Sequence, residues 1–217
     1  KSYACGAAHV YTMEQSPLNA NLMYAGTATG GVWKTTDKGL NWTNVTKGLV
    51  FPGVVQSIEL DPAVQNTVYF GGGKDLWKTT DGGTNWNTIG DATFQGLEHD
   101  ITDIVIHPAN SQLVFALSDQ GLWRSVNAGT SFTQVQTGVW QELEIQPNDP
   151  DTVYAVKQVS NRTEFWRSAN AGASFVQVGT GWPNPVSPDE QMRTEIAVSP
   201  AARNTVYALC SGVADGG

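Results

Sequence analysis

Hydrophobic and polar positions along this chain alternate in short runs, and proline, glycine and asparagine cut each run off before it reaches helical length. Between 54 and 90, Val55 to Leu60 alternates and ends at Asp61-Pro62, where proline has no N–H to offer a central ladder. Thr67 to Phe70 sets β-branched and aromatic residues on successive positions, the pattern of a strand buried on both faces, and Gly71-Gly72-Gly73 is expected to turn the chain. Leu76 to Thr79 and Trp86 to Ile89 complete four predicted strands. The same order recurs along the chain. An apolar pair appears as Met23-Tyr24, Val68-Tyr69, Val114-Phe115, Val153-Tyr154 and Val206-Tyr207, each behind a proline at 17, 62, 108, 147 or 200, and Trp33, Trp77, Trp123 and Trp166 follow the first four pairs.

Between the third and fourth predicted strands lies one signature in four copies, Ser/Thr-x-Asp/Asn-x-Gly-x-x-Trp/Phe. Its fixed positions are Asp37, Gly39 and Trp42; Asp81, Gly83 and Trp86; Asn127, Gly129 and Phe132; and Asn170, Gly172 and Phe175. The copies are spaced 44, 46 and 43 residues apart, the period of a four-stranded propeller blade. Asp or Asn can accept hydrogen bonds from backbone N–H groups further along a turn, and the glycine two positions later takes φ > 0 without steric cost. The closing ring is expected to drop into the blade and pin the hairpin, a mechanical role. The predicted fold is therefore all-β, a β-propeller of four-stranded antiparallel blades at roughly 8–46, 54–90, 100–136 and 139–179, with a partial blade at 193–217. Four and a half blades would leave apolar faces in water, so further blades, from the same chain or a partner chain, are expected to close the ring.

The signature with its flanking strands resembles the Asp-box, or bacterial neuraminidase repeat, of sortilin-like and xyloglucanase-like propellers. The resemblance covers nearly the whole chain. It implies that the signature sits on the hairpin between the third and fourth strands, that the first strand is innermost, and that six to eight blades close the ring. The family holds enzymes, receptors and surface proteins, so it defines a fold more narrowly than a function. In xyloglucan-cleaving relatives a catalytic aspartate stands in a Thr-Asp-x-Gly-Gly stretch. Here the matching stretch is Thr27-Ala28-Thr29-Gly30-Gly31, and an alanine cannot protonate a leaving group. A sialidase would need converging arginines, yet Arg124 and Arg167 share a repeat position with Lys34 and Lys78, which marks them as blade residues.

Composition narrows the function classes. The net charge is −8 with pI near 4.7 and no Lys/Arg cluster, which argues against nucleic acid or an anionic membrane as partner. No run of about 18 apolar residues is present to insert into a membrane. Cys5 and Cys210 are the only cysteines, and pairing with each other, pairing elsewhere and separate burial all stay open. His9, His99 and His107 lack metal-ligand spacing, no catalytic triad order or phosphate loop appears, and no catalytic residue, metal or cofactor is assigned.

Two groups of residues remain as binding candidates. On the first strands Glu14, Glu59 and Glu144, and two residues earlier Asp103, Glu142 and Glu195, lie opposite the apolar positions, where they could meet a sugar hydroxyl or a cation in a central channel. The stretches Phe94–His99, Gln158–Arg162 and Gly181–Pro185 exceed the repeat minimum, and Arg162 and Trp182 are their recognition candidates. Asn41, Asn44 and Asn161 open Asn-x-Thr triplets that would accept glycans only in a eukaryotic secretory route. The expected function is a non-enzymatic, secreted or cell-surface, bacterial scaffold binding a glycan or protein ligand; the alternative is a xyloglucanase-like glycoside hydrolase with its carboxylates in further blades.

Overall fold

The computed structural model describes residues 9–49, 54–72, 74–94, 100–183 and 193–211. The chain divides into two compact units, Lys1–Ile106 and His107–Gly217. In the first unit, β1 (Val10–Gln15), β2 (Met23–Thr27), β3 (Val32–Thr35) and β4 (Thr43–Asn44) form one antiparallel sheet in chain order. A second sheet joins β5 (Val55–Leu60), β6 (Val68–Gly72), β7 (Asp75–Thr79) and β8 (Asn87–Ile89) in the same way. The one α-helix among the described residues, α1 (Asp91–Phe94), is a single turn, and β9 (Ile101–Ile106) ends the unit. The second unit holds β10 (Val114–Ser118), β11 (Gly121–Ser125) and β12 (Thr133–Thr137), then a full sheet of β13 (Val139–Ile145), β14 (Val153–Val159), β15 (Arg162–Ser168) and β16 (Val176–Val178). A pair, β17 (Thr194–Ser199) and β18 (Ala202–Cys210), completes the described chain.

Two of the second strands are covered on both faces, as predicted for Thr67 to Phe70: β6 and β10 are buried at every position. Gly71 and Gly72 do not turn the chain, however; they continue β6 opposite Leu76 and Asp75. Gly71 is required because a Cβ there would lie 2.7 Å from Ile101 Cγ2, and Gly26 stands against Val55 in the same way. These glycines let neighbouring repeats approach closely.

The signature hairpins are built alike in all four copies. Thr35 donates its hydroxyl to Asp37 (2.7 Å) and accepts the Gly39 N–H (3.0 Å), while Asp37 accepts the Asn41 N–H (2.9 Å) and side-chain amide (2.7 Å). Thr79 and Asp81 repeat this set. Ser125 with Asn127, and Ser168 with Asn170, keep its backbone bonds and replace the carboxylate–amide contact by an amide donating to Ser131 or Ser174. Two successive residues take positive φ in each turn: Lys38 and Gly39, Gly82 and Gly83, Ala128 and Gly129, Ala171 and Gly172. The first N–H of each pair donates to the carbonyl two residues before the second strand, at Asn21, Asn66, Gln112 and Asp151. The hairpin is thereby tied to the loop that leads into the second strand, at the same end of its own blade.

The hairpin also ties blade to blade. Tyr24 and Lys34 both donate to the Gly82 carbonyl of the following sheet, at 3.1 and 2.9 Å, and Arg124 Nε reaches the Ala171 carbonyl at 3.0 Å. These cations thus bolt one sheet to the next hairpin. Behind the bolt, Trp86 donates to Val45 O across the seam (3.0 Å) and sets its ring edge-on against Phe70, which stacks on Trp77. Trp86 and Phe175 are buried, whereas Trp42 and Phe132 are half-buried.

Trp86→Ala should cost about 3–5 kcal/mol of unfolding free energy in urea titration, and Trp42→Ala clearly less; equal losses would contradict the burial difference. Asp37 is held down at about 2, first by the Asn41 side chain and then by its N–H and Thr35, and Asp81 likewise at about 2, first by the Asn85 N–H. A depressed carboxylate stabilises the fold fully above its ordinary value and loses that contribution as pH falls through its folded one. Stability should therefore decline between about pH 4 and about pH 2. The double variant Asp37→Asn, Asp81→Asn should show a flatter dependence in that window, and an unchanged slope would place the acid sensitivity elsewhere.

Candidate functional site

The first-strand acids line up by register, and the structure turns several of them sideways. Glu14, Glu59 and Glu144 pair across their sheets with Tyr24, Tyr69 and Tyr154, on the face that also bears Lys34, Lys78 and Arg167. Glu59 Oε1 accepts the Ile106 N–H at 3.1 Å, and Asp103 accepts the Ser57 hydroxyl at 3.1 Å. Both carboxylates thus satisfy the seam between first strands. Burial raises the Glu14 carboxyl above its ordinary range. Glu195 is drawn below its range first by a hydrogen bond with Glu142 and then, against the cost of burial, by Arg193, whose guanidinium lies 2.7 Å from it. Glu195 is thereby engaged by both Glu142 and Arg193.

Arg162 and Trp182, from separate stretches of sequence, do come together. The β15–β16 register covers only Phe165 to Arg167, so β16 ends at Val178 and Gly179–Trp182 crosses the open edge of β15. Trp182 N donates to Gly179 O, closing the turn, and Trp182 Nε1 donates to the buried Thr163 hydroxyl at 3.1 Å. Its ring lies on Phe165 at 5.0 Å and 14° from parallel, and Phe165 in turn stacks on Tyr154 at 5.6 Å and 15°. Beside this column Arg162 Nη2 pairs with Glu164 at 3.3 Å, the arginine half-exposed and the glutamate 14% exposed. Together they line a pocket of about 180 Å³ with Gln177 and Gly181. The arrangement combines an aromatic surface with a cation, a carboxylate and an amide, the mixture that orients a small polar ligand.

Thr163, Glu164 and Phe165 were not among the sequence candidates. Phe165 occupies the register position of Val32, Leu76 and Leu122, each fully buried, and so reads as blade interior; here it is half-buried and Trp182 covers it. Alternation could have placed Arg162 and Glu164 on one face. Nothing local announced the stacking. The stretch from Gln158 to Arg162 is not an open loop, because β14 and β15 pair out to Val159 and Arg162 and leave a two-residue turn with Ser160 at φ 57°. Phe94 is buried within α1, while 95–99 and 184–192 lie outside the described residues, His99 among them.

The other flagged residues have structural partners. Asn41 donates to Asp37, Asn44 accepts the Thr46 N–H, and buried His107 accepts the Ala109 N–H through Nδ1. Cys210 is half-buried and accepts the Thr194 hydroxyl; Cys5 lies outside the described residues.

These sheets are the blades of a β-propeller. An ancestral GH74 enzyme superposes with a TM-score of 0.71 over 94% of this chain and 30% of its own, at 20% identity. The GH74 xyloglucanase from Xanthomonas campestris gives 0.63 over 79% and 30% at 15% identity, and YCF48 from Cyanidioschyzon merolae gives 0.60 over 94% and 71% at 11%. The chain spans about 30% of the length of the GH74 enzymes it matches, and these likenesses concern the fold. No family model and no curated protein matches the sequence.

Proposed function

We propose that this protein is an Asp-box propeller that serves as a secreted or cell-surface, non-enzymatic binding scaffold, with a glycan as its ligand. The pocket beside Trp182 carries the reading: stacked rings, a hydroxyl and an Arg162–Glu164 pair converge where the repeat otherwise buries an aliphatic residue. A pyranose offers that surface an apolar ring face and hydroxyls. An acidic surface keeps an exported protein soluble and fits a neutral glycan better than a polyanion. The structural neighbours include GH74 enzymes, among them a xyloglucanase, and a YCF48 propeller is known with a bound D1 peptide. Hydrolysis is disfavoured by Ala28 at the family's acid position.

The protein should be incubated with a panel of soluble polysaccharides and their oligosaccharides, xyloglucan included, while calorimetry follows binding and a reducing-end assay follows cleavage. Binding without product is expected. Trp182→Ala and Arg162→Ala should each weaken it about tenfold or more, equivalent to about 1.4 kcal/mol. Sugar release by the unaltered protein would establish the hydrolase instead, and binding unaffected by Trp182→Ala would remove the pocket from the account.

A further inference from the structure

Every seam within a unit joins two different sides of a blade. On one side stand the aromatic of the second strand, the residue two further on, and the bolt cation: Tyr24, Gly26 and Lys34 in the first sheet. On the other stand the apolar residues of the first strand and the tryptophans: Val55, Ile58, Trp77 and Trp86 in the second sheet. The first set covers the second. Tyr24 and Val32 share one core cluster with Val55, Ile58, Phe70, Trp77 and Trp86, Gly26 lies against Val55, and Tyr24 OH binds Gly82 O. In the second unit Phe115, at the Tyr24 position, underlies Gly172 of the following hairpin.

One example of each side is exposed. On the first sheet, Val10 and Met13 are 58% and 53% exposed, and a groove of about 470 Å³ runs over them past Ala25, Trp33 and Trp42. On β18, Tyr207 and Leu209 occupy the register positions of Tyr24 and Gly26 and are 60% and 73% exposed. The sizes are complementary. Covered blades fill this part of the seam with a ring of their own, Phe70 beside Val55 or Trp140 beside Ala155, whereas Val10 and Ala25 leave it open. Leu209 brings the missing bulk where the first two sheets have Gly26 and Gly71, and in this it resembles Leu117 and Val156 of the later sheets. Lys38, with φ 60°, holds the place of Gly82, so its carbonyl is the counterpart of the one that Tyr24 binds.

We infer that a second copy of this chain docks its Tyr207–Leu209 face into the Val10–Trp42 groove, with Tyr207 OH donating to the Lys38 carbonyl. The contact is head-to-tail, so it propagates until a ring closes. It uses a surface separate from the Trp182 pocket and stands whether or not that pocket binds a sugar.

Sedimentation of the 217-residue chain into the high micromolar range tests the contact. The chain should associate reversibly, and Met13→Asp or Leu209→Asp should each leave a monomer with unchanged thermal unfolding, because both side chains are exposed. Mixing the two variants should restore a one-to-one pair and nothing larger, since each retains the face the other has lost. Tyr207→Phe should weaken association about two- to tenfold, the worth of one hydrogen bond. A monomeric parent chain, an assembly that survives both aspartates, or variants that fail to recombine would each overturn the proposal.

Discussion

A hydroxyl–carboxylate contact two residues apart organises this molecule. Thr35 and Asp37 hold each other, and between them they gather the N–H groups of a turn whose central residues sit in the left-handed region. Such a turn costs an L-residue about 1–2 kcal/mol, and Lys38, Ala128 and Ala171 all bear it without being glycine. The expense secures a carbonyl in a fixed place. Gly82 O and Ala171 O are the acceptors onto which the preceding sheets bolt through Lys34 and Arg124. Local hairpin chemistry therefore sets the spacing of the blades, and packing of Trp86 or Phe175 follows from it.

This dependence explains what the sequence made legible. A turn satisfied by its own residues needs no distant partner, so its four copies are readable one by one, with the strands to either side. Features that depend on a neighbouring repeat were opaque. Gly71 looked like part of a turn because glycine gives the same local signal for a bend and for close approach, and only the nearness of Ile101 decides between them. Glu59 and Asp103 read as channel-facing because alternation assigns a face and not a neighbour; the register of the adjoining strand supplied Ile106 N–H and Ser57 as partners. The Trp182–Phe165–Tyr154 column joins three segments, and its central ring sits where an aliphatic residue is the rule.

Departures from the repeat are also where chemistry can be added to such a scaffold. A residue that follows the period is committed to the hairpin, the bolt or the seam, and altering it perturbs a blade. Arg162, Glu164 and Trp182 lie at the open edge left where β16 stops short, outside those three duties. A ligand site there can change with little cost to the fold. The carboxylates of Glu59 and Glu195, by contrast, are held in hydrogen bonds that a ligand would have to replace.

The same logic separates the two exposed apolar faces from ordinary surface. Isolated exposed hydrophobics require no explanation, but Val10, Met13, Tyr207 and Leu209 stand at positions whose repeat equivalents Val55, Ile58, Tyr24 and Leu117 are buried. A face specified by the same pattern as a buried seam is itself specified to be covered. Within each unit, the covered faces of the described residues meet their opposite sides, which makes a head-to-tail partner the geometry consistent with those seams. A symmetric pairing of like faces would have to abandon the bolt, because the tyrosine and the carbonyl that it joins lie on opposite sides of a blade.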